Sequence, residues 1–350
     1  MIKFPACLLV LTLAMIFLSS TNQRKLVKKY TDAVIIRTEL FALTTYGSID
    51  IYNTDTYQII DTGIKANKPI LNLSVDGKEQ LVAIEGRNAE IFLQSNLTFK
   101  PFQITNSDLY SIVYNAKNEP FLITTNGIYD VSGQKNYIPD SSFRLNKYVR
   151  QWGKPSAVYM APDGCIWLGY AHGEWGGELV AFDTNKKLFV KINTGKFKIE
   201  LNPLKSFFYA EGKVYFSCGL NHFFSSGCIV RVTNFKCTKL FESDFYKKND
   251  STVIDGKYIG PAAYDNKDAY IYFYCQEGLF AGNIKKNLSD SSAWKKVAIA
   301  KLRWRFGQPD AAGYSMNILK MQFASNGKLF LVTQNDGIGV FDGNSIQLLN

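Results

Sequence analysis

The residues best suited to chemistry lie in one stretch, Tyr170 to Leu179, which reads YAHGEWGGEL. It holds His172, one of two histidines in the chain, together with Glu174 and Trp175. A histidine and a carboxylate two residues apart could ligate a metal ion or exchange a proton, and the indole could stack on a ligand. The same residue types suit a hydrated turn between two strands, so the interpretation depends on the elements that position them.

Motifs for catalysis are missing from the sequence. The second histidine is His222, and two histidines cannot form a three-histidine metal site. The sequence has no HExxH pair, P-loop, GxSxG elbow or sialidase Asp-box. A glycosidase needs two carboxyl groups at a set separation, and nothing singles out the candidates Glu174 and Asp310. We therefore expect no catalytic residue, no metal and no cofactor, and keep a carbohydrate-active hydrolase or lyase as the alternative.

The composition is that of a large folded protein. The chain has 350 residues, of which 46% are hydrophobic and 20% charged, and this balance excludes a disordered chain. Aromatic residues make up 14%, which favours β-strands. The formal net charge is +10, but the lysines are scattered in pairs such as Lys186-Lys187, without a nucleic-acid-binding motif. We expect lysines at solvated turns and no nucleic-acid partner.

The first twenty residues, MIKFPACLLVLTLAMIFLSS, differ from the rest of the chain. Lys3 precedes an apolar run that ends near Leu18, and two small residues follow. This order is typical of a secretory signal peptide cleaved near Ser20, because a membrane span needs about 20 apolar residues. We therefore expect an extracytoplasmic protein (periplasmic, cell-surface or secreted), with residues 21–350 as a single domain. The alternative is that this segment is an uncleaved membrane anchor. We expect contact with a membrane only in that case.

Five cysteines follow this segment: Cys165, Cys218, Cys228, Cys237 and Cys275. An oxidising compartment allows disulfides, but an odd number leaves at least one thiol free or paired between chains. The sequence has no CxxC pair, so a structural zinc site is not expected. The pairing stays open, and we expect most of these side chains to pack as small apolar residues in strands.

Seven segments share one pattern: a strand, a short turn that usually contains glycine, and a second strand that often ends in Asp or Asn. They are LFALTTYGSIDIYN (40–53), QLVAIEGRNAEIFL (80–93), PFLITTNGIYDV (120–131), CIWLGYAHGEWGGELVAFD (165–183), KVYFSCGLNHFFSSGCIVRV (213–232), AYIYFYCQEGLFAGN (269–283) and KLFLVTQNDGIGVFDG (328–343). A repeat of about 40 to 50 residues with several strands is typical of β-propellers. The sequence predicts an all-β, seven-bladed β-propeller of four-stranded antiparallel blades, with six or eight blades as alternatives.

Two further signals place the strands, named a to d, of each unit. A proline precedes strand a in five units, at Pro69, Pro155, Pro203, Pro261 and Pro309. Proline suits a strand entrance because its missing N–H costs no ladder bond there. Pairs such as Asp163-Gly164 then favour a tight turn between strands a and b. In blade 4 the predicted strands are Ala157–Ala161, Cys165–Tyr170, Glu178–Asp183 and Leu188–Ile192.

The unit APDGCIWLGYAHGEWGGELVAFD, and more loosely FASNGKLFLVTQNDGIGVFDG, resembles the repeats of bacterial two-component-regulator propellers. The matching positions are Asp163, Gly164, Ile166, Trp167, Gly169, Gly177 and Asp183 in the first, and Asn326, Gly327, Leu329, Phe330, Thr333, Gly337 and Asp342 in the second. The resemblance implies a bacterial β-propeller. It implies no catalytic residue, because these positions are structural. Sensors of this family continue into further domains and often a kinase, which we do not expect in this chain.

One rim of such a propeller carries the b–c turns and the d–a connections between blades. The b–c turns predicted at 170–177 and 219–227 are the longest, and the connections before blades 4 and 7 combine Arg with Trp. Long loops with such residues on a rigid scaffold favour binding. The predicted ligand-binding residues are His172, Glu174, Trp175, His222, Arg150, Trp152, Trp304 and Arg305.

These observations predict a monomeric, exported binding or scaffold module whose protein or glycan ligand sits on this rim. For Trp152, Trp175 and Trp304 the alternative is that their rings cap the hydrophobic ends of the blades. The identity of the ligand stays open.

Overall fold

The computed structural model of the protein describes residues 27–146, 152–221, 225–243, 256–300, 302 and 318–349. In these residues the chain forms seven four-stranded antiparallel sheets, each built from four consecutive strands. The first strands of neighbouring sheets contact one another around a closed ring, from the first sheet to the seventh and back. The predicted seven-bladed β-propeller is therefore confirmed.

The strands follow the chain in the order a, b, c, d in every blade. Blades 1 and 2 contain β1 Tyr30–Ile36, β2 Glu39–Thr44, β3 Ile49–Asn53, β4 Ile59–Ile64, β5 Asn72–Val75, β6 Leu81–Glu85, β7 Asn88–Leu93 and β8 Thr98–Ile104. Blades 3 and 4 contain β9 Leu109–Tyr114, β10 Pro120–Thr124, β11 Gly127–Asp130, β12 Lys135–Tyr137, β13 Ala157–Met160, β14 Cys165–Ala171, β15 Gly177–Asp183 and β16 Leu188–Val190.

Blades 5 to 7 follow the same plan. They contain β17 Leu204–Ala210, β18 Lys213–Asn221, β19 Ser225–Thr233, β20 Lys236–Glu242, β21 Ala262–Asp265, β22 Tyr270–Cys275, β23 Gly278–Asn283, β24 Trp294–Ala298, β25 Ile318–Phe323, β26 Leu329–Thr333, β27 Ile338–Phe341 and β28 Ile346–Leu349. Short 3-10 helices lie between strands at Ser141–Phe143, Gly173–Trp175, Ile199–Leu201 and Ser291–Ala293. None of the helices formed by the described residues is long and apolar enough to cross a membrane.

The hydrophobic core is divided among the blade interfaces. Each of the seven interfaces holds its own cluster of buried apolar side chains. Trp167 of β14 shows how they form: its indole is buried and stacks on Phe235 of blade 5, with ring centroids 5.7 Å apart. Inner strands such as β14 are therefore covered on both faces, which explains their continuous apolar sequence.

The ring closes without a shared strand, because blade 1 uses only β1–β4 and blade 7 only β25–β28. Side chains make the closure instead. Tyr30 packs among apolar residues of blade 7, and the ammonium group of Lys320 lies 2.7 Å from a carboxylate oxygen of Asp32. Asn326 donates a hydrogen bond of 2.9 Å to the carbonyl of Thr54.

The two faces of the propeller carry different connections. We call the face with the a–b and c–d turns the turn face, and the face with the b–c turns and d–a connections the loop face. On the turn face, an Asp or Asn side chain accepts a backbone N–H two to four residues ahead in ten turns. These residues are Asn53, Asp76, Asn115, Asp130, Asp163, Asp183, Asp265, Asn283, Asn326 and Asp342. The predicted repeat of Asp or Asn thus marks side-chain-capped turns.

Blade 5 corrects one sequence prediction. The long b–c turn predicted at 219–227 is wrong, because β18 extends to Asn221 and β19 begins at Ser225. Gly219 and Gly227 face each other inside this ladder. A Cβ on Gly219 would lie 2.1 Å from the carbonyl oxygen of Ile259, so the glycines admit the following d–a connection rather than form a turn.

The proline signal holds in four of its five units. Pro69, Pro155, Pro203 and Pro261 come one to three residues before their a strands. The fifth proline of this signal, Pro309, lies outside the described residues.

The five cysteines are free thiols in buried positions. Burial raises the pKa of Cys165 and of Cys237 to about 12, and that of Cys275 to about 11. They pack as small apolar side chains, as the sequence suggested.

Candidate functional site

A cavity of about 350 Å³ lies on the propeller axis, where the central channel opens on the loop face. Its lining comes from all seven blades, at or just before the first residues of their a strands. A volume of this size is at the lower end of that of small-molecule pockets.

Polar side chains around this channel tie neighbouring a strands together. The bonds run from the amide of Asn72 to the carbonyl of Tyr110, from the hydroxyl of Ser156 to the carbonyl of Leu204, and from the hydroxyl of Ser206 to the carbonyl of Ala262. The polar groups of the lining are therefore largely committed to holding the ring.

Lysines set the charge of the cavity. Lys154, Lys205 and Lys320 line it, while Asp32 supplies the only carboxylate among the described residues of the lining. Asp32 pairs with Lys320 at 2.7 Å and accepts the backbone N–H of Leu73 at 3.4 Å. The described lining thus carries a net positive charge.

The stretch YAHGEWGGEL connects β14 to β15 on the loop face, as predicted. Residues 173–175 form a 3-10 turn, and Gly176 follows with a φ of +78°. A Cβ on Gly176 would lie 1.8 Å from the carbonyl oxygen of Glu200. The position therefore requires glycine for two reasons, the positive φ and the close approach of this carbonyl. The turn therefore packs against the d–a connection to blade 5. Trp175, on the same turn, is 61% exposed.

His172 lies at the start of this turn, but its imidazole faces inward. The ring stacks on Tyr170, with centroids 5.8 Å apart. Its Nε2 atom and the Tyr170 hydroxyl are buried and have no hydrogen-bond partner among the residues that the structure describes. Burial lowers the pKa of His172, opposed by Glu178 and aided by Arg144, so the imidazole is neutral near pH 7. In the part of the chain that is described, no group of three or more His, Cys, Asp or Glu side chains could hold a metal ion.

A buried ion pair beside this turn escaped the sequence analysis. Arg144 in the preceding d–a connection binds both carboxylate oxygens of Glu178, at 2.6 and 2.7 Å. Only 16% of the arginine side chain and 1% of the glutamate side chain are exposed. Asn146, also buried, donates to the carbonyls of Trp175 and Gly177. No local pattern signals these residues, because their partners lie about thirty residues further along the chain.

Trp152 is placed as the capping alternative describes. Its indole N–H donates to the carbonyl of Thr124 at 2.8 Å, and its ring meets Tyr170 edge-on. Trp152 therefore covers the loop-face end of the interface between blades 3 and 4. Glu174 is exposed on the same turn as Trp175.

The remaining predicted site residues, Arg150, His222, Trp304 and Arg305, lie outside the described residues. As ligand-binding residues, these four and the four described above stay predictions.

Exposed apolar side chains are unevenly distributed between the two faces. The described residues include twelve large ones. Eight lie on or beside the loop face: Tyr46, Leu71, Ile104, Ile138, Trp175, Leu201, Ile299 and Leu319. Four lie at or beside c–d turns of the turn face: Ile59, Ile60, Leu97 and Leu188. The loop face thus combines the channel mouth with most of the exposed apolar side chains.

Comparison with known proteins places the chain among β-propellers. No protein-family model and no curated protein matches the sequence. Solved structures match over most of their length. A chain of Kuenenia stuttgartiensis hydrazine synthase has a TM-score of 0.61 at 10% identity, covering 92% of this chain and 97% of its own. The WD40 repeats of RRP9 give 0.57 at 9% identity, covering 88% of both chains.

A third similar structure is KlAtg21 from its complex with the coiled coil of AgAtg16. Its TM-score is 0.54 at 9% identity, and the match covers 93% of this chain and 98% of that one. At these identities the likeness concerns the fold alone. The chain is a seven-bladed propeller scaffold whose fold resembles that of the WD40 repeats of RRP9.

Proposed function

We propose that this propeller is a binding or scaffold module that holds a protein partner on its loop face. The observation that carries the proposal is the excess of exposed apolar side chains on that face, eight of the twelve among the described residues. Isolated apolar residues are common on protein surfaces, but their concentration on one face is typical of an interaction surface.

The chemistry of the face favours a protein over a glycan. Six of the eight side chains are Leu or Ile, which pack against apolar side chains of a partner. Tyr46 and Trp175, 84% and 61% exposed, supply the aromatic anchors that such interfaces concentrate. A glycan would need more exposed aromatic rings to stack on.

The hydrolase or lyase alternative gains no support from the channel. A paired-carboxylate mechanism needs two carboxyl groups about 5 to 10 Å apart. The described channel lining contains one carboxylate, that of Asp32, and it is already paired with Lys320.

Two double variants test the proposal. Tyr46→Ala with Trp175→Ala removes the aromatic anchors of the loop face, and Leu97→Ala with Leu188→Ala is the matched control on the turn face. The full chain and both variants are immobilised, and the extracytoplasmic fraction of the source organism is passed over each. The full chain and the turn-face control should both retain the same partner protein. The loop-face variant should fail to retain it. A glycan panel, read for binding and cleavage, is the second arm. Loss by both variants alike, or binding or cleavage only in the glycan arm, would overturn the proposal.

The proposal includes export by a bacterial cell. It is supported by the signal-peptide pattern of residues 1–20 and by the resemblance of blades 4 and 7 to two-component-regulator repeats. Mass spectrometry of the protein from its source should find an N-terminus near Thr21 in an extracytoplasmic fraction. An intact Met1 in the cytoplasm would contradict export.

A further inference from the structure

The described residues at the mouth of the central channel carry a positive charge that they do not neutralise among themselves. Of its three lysines, Lys320 is committed to Asp32 at 2.7 Å. Lys154 and Lys205 line the same cavity, and neither forms an ion pair or a hydrogen bond with any of the described residues. Two lysines that line one cavity without a carboxylate partner among the described residues repel each other, and an anion bound between them would relieve that repulsion.

The backbone directs both lysines to the cavity. Lys205 sits at a β-bulge: the register of β17 against β18 shifts between Leu204 and Ser206, so Lys205 is left unpaired. A bulge commonly re-aims a side chain. The ammonium of Lys205 lies over the ring of buried Tyr258, 5.4 Å from its centroid, which holds it in place. Lys154 comes directly before Pro155, at the entrance to strand a of the neighbouring blade.

The rest of the lining indicates what kind of anion would fit. The hydroxyls of Ser156 and Ser206 are already used between blades. Leu71 and Leu319 are exposed at the cavity, and Met321 also lines it. The cavity thus offers charge-assisted donors together with apolar surface. This combination suits a charged group on a compact organic body more than a bare inorganic ion.

We propose that the channel mouth is a binding site for a small organic anion, a carboxylate or phosphate monoester, held between Lys154 and Lys205. The inference goes beyond the proposed partner surface and does not depend on it. The Tyr46→Ala/Trp175→Ala variant leaves the channel lining unchanged, so failure of one idea can be told apart from failure of the other.

The test uses pairs of probes that differ in charge. Benzoate is compared with benzamide, and glucose 6-phosphate with glucose, by calorimetric titration of the full chain at low ionic strength. We expect at least one anion to bind and its neutral partner not to bind. Equal binding within each pair, or no anion binding into the low-millimolar range, would overturn the site.

Matched variants then locate the site. Lys154→Gln with Lys205→Gln should weaken binding of the anion about tenfold or more, which corresponds to the loss of one or two charge-assisted hydrogen bonds. Lys117→Gln with Lys267→Gln changes the net charge equally, but on exposed a–b turns of the opposite face, and should leave the affinity nearly unchanged. Thermal unfolding checks that both variants are folded. An equal loss in both would mean diffuse attraction by a basic protein and would refute the site.

Discussion

On the turn face, Asp183 accepts the backbone N–H of Lys186 three residues away, whereas on the loop face Arg144 pairs with Glu178 across 34 residues. Many turns of the turn face are capped within the turn by Asp and Asn side chains. The loop-face ion pairs Arg144–Glu178 and Lys320–Asp32 instead join segments far apart in the sequence, the second across 288 residues. The turn face also has contacts between blades, from Asn326 to Thr54 and from Lys187 to Asp130. What distinguishes the turn face is therefore its local capping, which needs no contact between blades.

The largest effect should come from breaking the buried pair of the loop face. Glu178→Gln removes the buried negative charge that binds the guanidinium of Arg144, and should lower the free energy of unfolding by about 3 kcal/mol. Asp183→Asn is the matched change on the turn face. It should cost less than about 1 kcal/mol, because Lys186 is largely exposed and Asn still caps the turn. Urea unfolding of both variants measures the difference, and equal losses would contradict the contrast.

Two glycines with similar positive φ values differ in how closely other backbone approaches them. Gly176 has a φ of +78° and Gly212 of +73°. Gly176→Ala should cost about 3 kcal/mol, because the new methyl group meets the backbone of Glu200 and because a φ of +78° with a ψ of −145° is strained for any residue with a Cβ. Gly212→Ala, where a Cβ meets nothing within 4 Å, should cost only about 1 kcal/mol. Denaturant unfolding of both variants measures the two losses in stability. A larger loss for Gly212→Ala than for Gly176→Ala would contradict the close packing of Gly176.

Asp50 should make the loop face sensitive to acid. Burial raises the pKa of this carboxyl, but the hydrogen bonds it accepts, among them those from Thr62 and Lys28, lower it below the usual value. A lowered folded-state pKa means that the group stabilises the protein above its unfolded pKa, near 4, and that this contribution is lost as the pH falls through the folded value. Asp50→Asn should cost about 2 kcal/mol at neutral pH.

The pH profile distinguishes this account of Asp50 from a purely steric one. The stability difference between Asp50→Asn and the unmodified chain should be constant above about pH 5 and shrink at lower pH. Chemical unfolding at a series of pH values measures it. A difference that is the same at every pH would show that the charge of Asp50 contributes nothing.

The smallest effect on stability is expected at the exposed apolar residues. Trp175→Ala on the loop face and Leu188→Ala on the turn face should each change the free energy of unfolding by less than about 0.5 kcal/mol. Thermal unfolding checks this. A large loss for Trp175→Ala would mean that the indole supports the fold, as the indole of Trp152 does.

The difference between the faces also explains how far the sequence could be interpreted. The repeats, the strands of blade 4 and the Asx turns follow from local patterns, and these predictions are confirmed. The Arg144–Glu178 pair and the lysines at the channel mouth come together only when segments far apart in the sequence are placed side by side. Gly219 and Gly227 suggested a turn for the same reason, since their neighbour Ile259 lies in the next connection.

Within YAHGEWGGEL, some residues support the fold and one remains a candidate for binding. His172, which first suggested a metal or a proton transfer, is partly buried and stacks on Tyr170. Gly176 allows the close approach of the neighbouring connection, and Glu178 anchors the blade interface. Trp175 remains as an exposed aromatic group for a partner.

The claim that the loop face is the binding face can be tested by hydrogen–deuterium exchange of the full chain with and without the partner retained in the capture experiment. The account predicts that the partner slows exchange at the b–c turn of blade 4 (172–176) and the neighbouring connection (199–202). Exchange at the c–d turns 184–187 and 234–235 should not change. Protection confined to those turn-face segments would contradict it.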